Sequence, residues 1–183
     1  MLNNELTTLY VLVGPPCTGK STYLKDAGWE YIISRDDLVM EFGSKSLPTP
    51  ETPEDAAWMN TYNNCWNALD KKSHKEIDKT LMVDADAIMT LAKMTGENMA
   101  VDMTNLTVKS RKKWIDFAER HKVQVAALST IWTPEEVLER AKGRTGKIIS
   151  PKILKDMMGR FEAPKRKEGF KTVVPIDTTP IKW

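Results

Sequence analysis

Eight consecutive residues, Gly14-Pro15-Pro16-Cys17-Thr18-Gly19-Lys20-Ser21, follow the spacing G-x-x-x-x-G-K-S. Each fixed position in that spacing has a task in holding phosphate. The glycines let backbone N–H groups turn inward around phosphate oxygens. A helix beginning at Lys20 adds a favourable dipole, Lys20 itself reaches the outer phosphates, and Ser21 offers its hydroxyl to magnesium. The ligand this predicts is ATP with Mg2+, held by residues 14–21 together with Thr22.

Phosphoryl transfer needs more than a donor cradle. It needs a base for the attacking hydroxyl and cations for the charge on the transferred group. Ser34-Arg35-Asp36-Asp37 supplies carboxylates one strand further on. Asp36 comes first after the strand and is the candidate general base, with Arg35 beside it as a substrate-positioning group. The alternative is that both aspartates only cap a helix N-terminus. Asp102 ends a short apolar run, where a carboxylate meets the magnesium shell; Thr104 and Asn105 follow it as candidate acceptor contacts. The alternative there is a turn rich in locally hydrogen-bonding side chains. Arg140, Lys142, Arg144 and Lys147 cluster around Gly143 and Gly146, a composition suited to a cationic lid over about residues 140–150. Arg144, flanked by the glycines, is the candidate transition-state arginine, since a guanidinium holds two phosphoryl oxygens at once. A solvated charge run is the alternative.

These residues need a scaffold that gathers them at one edge. Leu9–Val13, Tyr31–Ile33, Met99–Val101, Val123–Ile131 and Val173–Ile176 read as short apolar strands, alternating with helical stretches. Helices are expected over Lys20–Ala27, from Asp36 onward, from Thr52-Pro53 through Trp58, Tyr62, Trp66 and Leu69, over Ala85–Lys93, beyond Thr107, after Thr133-Pro134, and from Ser150-Pro151 to about Phe161. The pattern predicts an α/β fold: a single P-loop NTPase domain over residues 1–183, with a parallel sheet and helices on both faces. Ligands then bind at the carboxyl ends of the strands, where Lys20, Asp36 and Asp102 all fall. Residues 44–53, with three prolines, read as a flexible surface loop. Trp58, Tyr62 and Trp66 share a helical face that reads as core, with a base-stacking platform as the alternative.

The formal charge is only +2, but residues 140–183 carry 12 Lys/Arg against 4 Asp/Glu, a basic C-terminal quarter. With Lys109, Arg111, Lys112 and Lys113 it offers a path for a nucleic-acid backbone, or merely a solubilising surface. Two cysteines, one inside the phosphate loop, predict a reducing, cytoplasmic setting. No apolar run of membrane-spanning length is present, and two separated histidines exclude a zinc cluster of ordinary spacing. Nothing in the pattern fixes an oligomeric state.

Taken in order, the phosphate loop, Ser34-Arg35-Asp36-Asp37, Asp102-Met103-Thr104-Asn105-Leu106 and Glu139-Arg140-Ala141-Lys142-Gly143-Arg144-Thr145-Gly146-Lys147 cover nearly the whole chain. This set resembles the 5′-kinase domain of phage-type polynucleotide kinases and related small P-loop kinases, including phage kinases of DNA bases. The resemblance implies Asp36 as general base, Lys20 and Arg144 as clamps on the phosphoryl group, Ser21 as magnesium ligand, nucleic acid as acceptor, and action in a host cytoplasm. Two positions depart from it. Val39 stands where those enzymes carry an arginine that grips the acceptor's phosphate, and Met103 replaces an acidic residue. No phosphatase domain is expected. The implied acceptor is the 5′-hydroxyl of DNA or RNA, with the hydroxymethyl group of 5-hydroxymethyluracil in phage DNA, or a small molecule or nucleoside, as alternatives.

Overall fold

Leu9, Val11, Leu12 and Val13 are all fully buried, so the first strand, β1 (Thr8–Val13), is covered on both faces. The computed structural model describes residues 7–59 and 61–178, of which residues 58 and 59 by backbone alone. Around β1 the chain lays down β2 (Tyr31–Ser34), β3 (Met99–Asp102), β4 (Gln124–Thr130) and β5 (Thr172–Ile176), all parallel, in the order β2-β3-β1-β4-β5. Register aligns Ser34 with Asp102 and Val13 with Ser129, so the strand ends share one edge. Successive strands depart to opposite sides of β1, which opens a crevice at its carboxyl end.

The helices are α1 (Lys20–Asp26), α2 (Arg35–Ser46), α3 (Pro53–Met59), α4 (Tyr62–Ala68), α5 (Lys71–Thr95), α6 (Val108–His121), α7 (Pro134–Lys142) and α8 (Pro151–Gly159). One side of the sheet (Leu9, Val11, Val13, Met99, Val101) packs on α2, α5 and α6 through Val39, Ile77, Leu81, Trp114 and Phe117. The other side (Leu12, Ala100, Leu128) packs on Leu24 of α1. The α/β expectation, with helices on both faces of a parallel sheet, therefore holds.

Two helical expectations change. The single helix expected from Thr52 to Leu69 is broken into α3 and α4, because Thr61 is extended (ψ 149°) and caps α4 by accepting from the Asn64 N–H at 3.4 Å. The helix expected only over Ala85–Lys93 runs 25 residues, burying Ile77, Leu81, Ala85, Met89 and Ala92 at helical spacing among otherwise charged positions. The loop expected at 44–53 is shorter, since α2 continues to Ser46.

The basic face expected on α6 is also reduced. Arg111 is 0 % exposed and forms a bidentate pair with Glu168 (2.8 and 2.9 Å), while its remaining arm donates to the carbonyls of Asn105 and Glu162. It ties the chain after α8 to the start of α6. Lys112 pairs with Asp116, and Lys113 lies over the Trp114 ring.

Candidate active site

The turn from β1 into α1 is shaped by its backbone. Gly19 has φ 82° at the N-cap of α1, and a Cβ there would stand 2.8 Å from the Thr178 Cβ. Only glycine meets both demands. Cys17 takes φ 64°, a conformation rare for a side-chain-bearing residue outside a constrained loop. Thr18 is buried, donates to the Pro15 carbonyl at 3.0 Å and accepts from the Thr130 hydroxyl at 3.0 Å, so β4 braces the loop from beneath. The Gly14 N–H donates to the Thr104 carbonyl at 2.9 Å, tying β1's end to β3's.

Lys20 lies back across the mouth of this turn. Its ammonium donates to the carbonyls of Gly14 (3.0 Å) and Pro15 (2.6 Å). Burial pushes its pKa down to about 8, against an opposing pull from Asp102. Such a lysine gains by meeting phosphate, which returns the charge that burial penalises.

In front of the loop lies a cavity of about 980 Å3. Pro16, Cys17, Gly19, Lys20, Ser21 and Thr22 form its donor wall. Asp102, Met103 and Thr104 line it at the end of β3, Arg35 and Asp36 at the start of α2, and Arg140, Arg144 and Lys147 on the lid. Of the sixteen residues anticipated as donor, metal, base or acceptor contacts, twelve line one space. Arg144 reaches the phosphate loop itself, its Nη1 standing 3.7 Å from the Cys17 sulfur. Asp36 rather than Asp37 faces the cavity. Asp37 lines a separate small pocket beside Glu41 and Asp84, and burial raises its carboxyl pKa, with Asp102 and Asp36 adding to the effect.

Four anticipated residues do not line the cavity: Gly14, Pro15, Thr18 and Asn105. The first three belong to the inner turn of the loop and serve Lys20 or the brace from Thr130. Asn105 is a correction. It is 3 % exposed, with its amide donating to the Leu12 carbonyl at 2.8 Å and its own carbonyl accepting from Arg111, so it joins β1 to α6 instead of facing a substrate. Arg35 lines the cavity but is already held, paired with Asp78 at 2.8 Å and 5.4 Å from the Trp66 ring centroid.

The far wall comes from α4, and here the expected core stripe holds only in part, since Tyr62 packs against the core yet also faces the cavity. Tyr62 and Trp66 line the cavity, stacked at 6.0 Å between centroids, and Trp66 is 39 % exposed. The side chain of Trp58 lies outside the described residues. α4 reaches this position because Gly43 of α2 lets it approach closely; a Cβ on Gly43 would fall 2.4 Å from the Cys65 Cβ. The same packing explains Val39. It is 0 % exposed, in the core cluster that also holds Cys65 of α4.

For magnesium, the Ser21 hydroxyl and the Asp102 carboxylate face the same cavity. Among the described residues no group of three or more carboxylate, histidine or cysteine side chains could hold an ion alone. Two oxygen donors fit an ion that takes most of its ligands from phosphates and water.

A five-stranded parallel sheet in this order, with a phosphate loop after its central strand and a cationic lid, defines a P-loop kinase. The family model described as "AAA domain" matches residues 9–164, and the chain belongs to that family. No curated protein sequence matches it. Among solved structures, a gluconokinase from Sinorhizobium meliloti 1021 is 17 % identical with a TM-score of 0.51, covering 96 % of this chain and 85 % of that one. Kti12 of Chaetomium thermophilum in complex with ADP-AlF3 is 15 % identical with a TM-score of 0.52, covering 92 % and 88 %. The tunicamycin resistance protein of Deinococcus radiodurans is 13 % identical with a TM-score of 0.52, covering 96 % and 88 %. Among the described residues no helix is long and apolar enough to cross a membrane.

Proposed function

We propose that this chain transfers the γ-phosphate of ATP to a hydroxyl group carried by nucleic acid. The observation that carries the reading is the position of Asp36, on the cavity between the phosphate loop and the aromatic wall of Tyr62 and Trp66. A planar base or sugar-base unit against that wall would bring its hydroxyl to the carboxylate. The acceptor oxygen attacks the γ-phosphorus in line, its proton passes to Asp36, and the bond from phosphorus to the β,γ-bridging oxygen breaks, releasing ADP. Lys20 and Arg144 hold the equatorial oxygens as charge spreads over them. Ser21 and Asp102 would hold Mg2+, which neutralises charge on the β- and γ-oxygens when bound. Thr104 and Arg35 position the acceptor.

The first acceptor we assign is the 5′-hydroxyl of DNA or RNA. A hydroxymethyl group on a pyrimidine base of phage DNA is the second reading. It is favoured by Val39, because a buried valine leaves no grip for a terminal phosphate on α2. The gluconokinase likeness keeps a small polyol acid in the panel. The test is transfer of labelled γ-phosphate to 5′-hydroxyl DNA, 5′-hydroxyl RNA, DNA with hydroxymethylated pyrimidines, free nucleosides and gluconate. Label on strand ends supports the first reading, and label on internal bases the second. Label on nucleoside or gluconate alone refutes both. Near-normal turnover by Asp36→Asn would remove Asp36 as the base.

A further inference from the structure

The lid loop is fastened to α4 by both ends of one amide side chain and by a lysine over an aromatic ring. Asn63 donates from Nδ2 to the Ile148 carbonyl at 2.9 Å and accepts at Oδ1 from the Ile148 N–H at 2.6 Å. This paired contact fixes the backbone beside Lys147 and turns that side chain into the cavity, where it is 19 % exposed. The Lys147 ammonium pairs with the Asp36 carboxylate and stands 3.9 Å from the Tyr62 ring centroid. One cation therefore covers both surfaces an acceptor needs: the oxygen that takes its proton and the ring that carries its planar part.

We propose that Lys147 is a donor-sensing plug, which holds Asp36 and covers Tyr62 until the γ-phosphate of a bound triphosphate takes its ammonium. The proposal rests on the kinase reading above. Lys147 and Arg144 belong to the same short loop, and Arg144 already touches the phosphate loop at Cys17. A γ-phosphate arriving beside Arg144 thus lies within the swing of one flexible lysine stem. The exchange has a physical driving force. Burial penalises the Lys147 charge, with Asp36 and Asp102 opposing that penalty and Arg144 adding to it. A multiply charged phosphate compensates a buried ammonium better than one carboxylate does. Once the ammonium moves, Asp36 keeps the Tyr62 hydroxyl as a hydrogen-bond partner but loses its cation and can accept a proton, and the Tyr62 face is open. The base is thereby withheld until the donor is in place.

The experiment uses nucleotides alone. The affinity ratio of adenylyl imidodiphosphate, which has a γ-phosphate, over ADP is measured by calorimetry with Mg2+ for the wild type, Lys147→Met and Lys147→Arg. Lys147→Met keeps an apolar stem over Tyr62 and loses about tenfold of that ratio; Lys147→Arg retains it. Asp36→Asn frees the ammonium and raises the ratio in the wild-type background, with a clearly smaller gain in the Lys147→Met background. An unchanged ratio in Lys147→Met, failure of arginine to restore it, or equal effects of Asp36→Asn in both backgrounds would each overturn the plug. Because no acceptor enters, a chain that phosphorylates nothing in the panel would refute the proposed function while leaving this result readable.

Discussion

Lys20 should make nucleotide binding take up protons at mildly alkaline pH. Its ammonium is buried, and within the loop it donates to the Gly14 and Pro15 carbonyls and the Thr18 hydroxyl. The resulting fall from 10.5 to about 8 corresponds to about 3 kcal/mol against the charged form. Phosphate oxygens in the loop restore proton affinity, while their own ionisation is essentially complete above pH 7. At pH 8 about half of the free protein carries a neutral Lys20, so binding draws in about half a proton. Above pH 8 affinity falls toward about tenfold per pH unit, until the pKa of the bound state is reached. Calorimetry of adenylyl imidodiphosphate in paired buffers of different ionisation enthalpy reads the uptake directly. Uptake near zero at pH 7 and about half a proton at pH 8 is expected. Lys20→Arg, which stays charged, should show none of it. No uptake at pH 8, or equal uptake in the arginine variant, would refute the reasoning. The same shift has a sign for stability. The folded pKa lies below the unfolded one, so between pH 8 and 10.5 the unfolded chain binds more protons, and stability without nucleotide rises with pH across that window.

Three further outcomes follow from the packing. Gly43→Ala places a Cβ 2.4 Å from the Cys65 Cβ; it should cost about 1–3 kcal/mol in urea unfolding and raise the acceptor KM while leaving ADP affinity unchanged. Glu168→Gln strips the buried Arg111 of its carboxylate and should cost about 3–5 kcal/mol, read as a lower denaturant midpoint. Arg144→Met should slow transfer by about 1,000-fold or more with little change in ADP affinity, and a loss under about tenfold would remove Arg144 as the phosphoryl clamp.

The strands were legible because each is a short, mostly apolar run, although the edge strand β5 is largely exposed. Helix starts were legible where a capping side chain and a proline coincide, as at Thr133-Pro134 and Ser150-Pro151. α5 was not, because between Lys71 and Asp84 only Ile77 and Leu81 are fully sheltered. A stripe that narrow is lost among lysines and aspartates. Arg111 misled for a different reason. Its neighbours Lys109, Lys112 and Lys113 give the sequence a basic face, and the partner that withdraws Arg111 from it, Glu168, lies 57 residues away.

The site divides along the same line. Lys20, Ser21, Asp36, Asp102 and Arg144 could be found because a strand end or a glycine-bounded loop marks each of them. The aromatic wall has no such marker. Tyr62 and Trp66, four residues apart, spell the same pattern whether their face meets a core or a cavity. What decides between the two is where α4 lies, and that depends on a contact between Gly43 and Cys65 that neither residue announces. This contact also settles the meaning of Val39. Read alone, the valine is the loss of an acceptor-gripping arginine; in the fold it is a buried member of the core cluster that also holds Cys65 of α4. Burying that position and supplying an aromatic wall are thus one structural change. Acceptor choice should therefore follow substitutions in α4 and the lid, at Tyr62, Asn63, Trp66 and Lys147, and should not be recovered by placing an arginine at Val39.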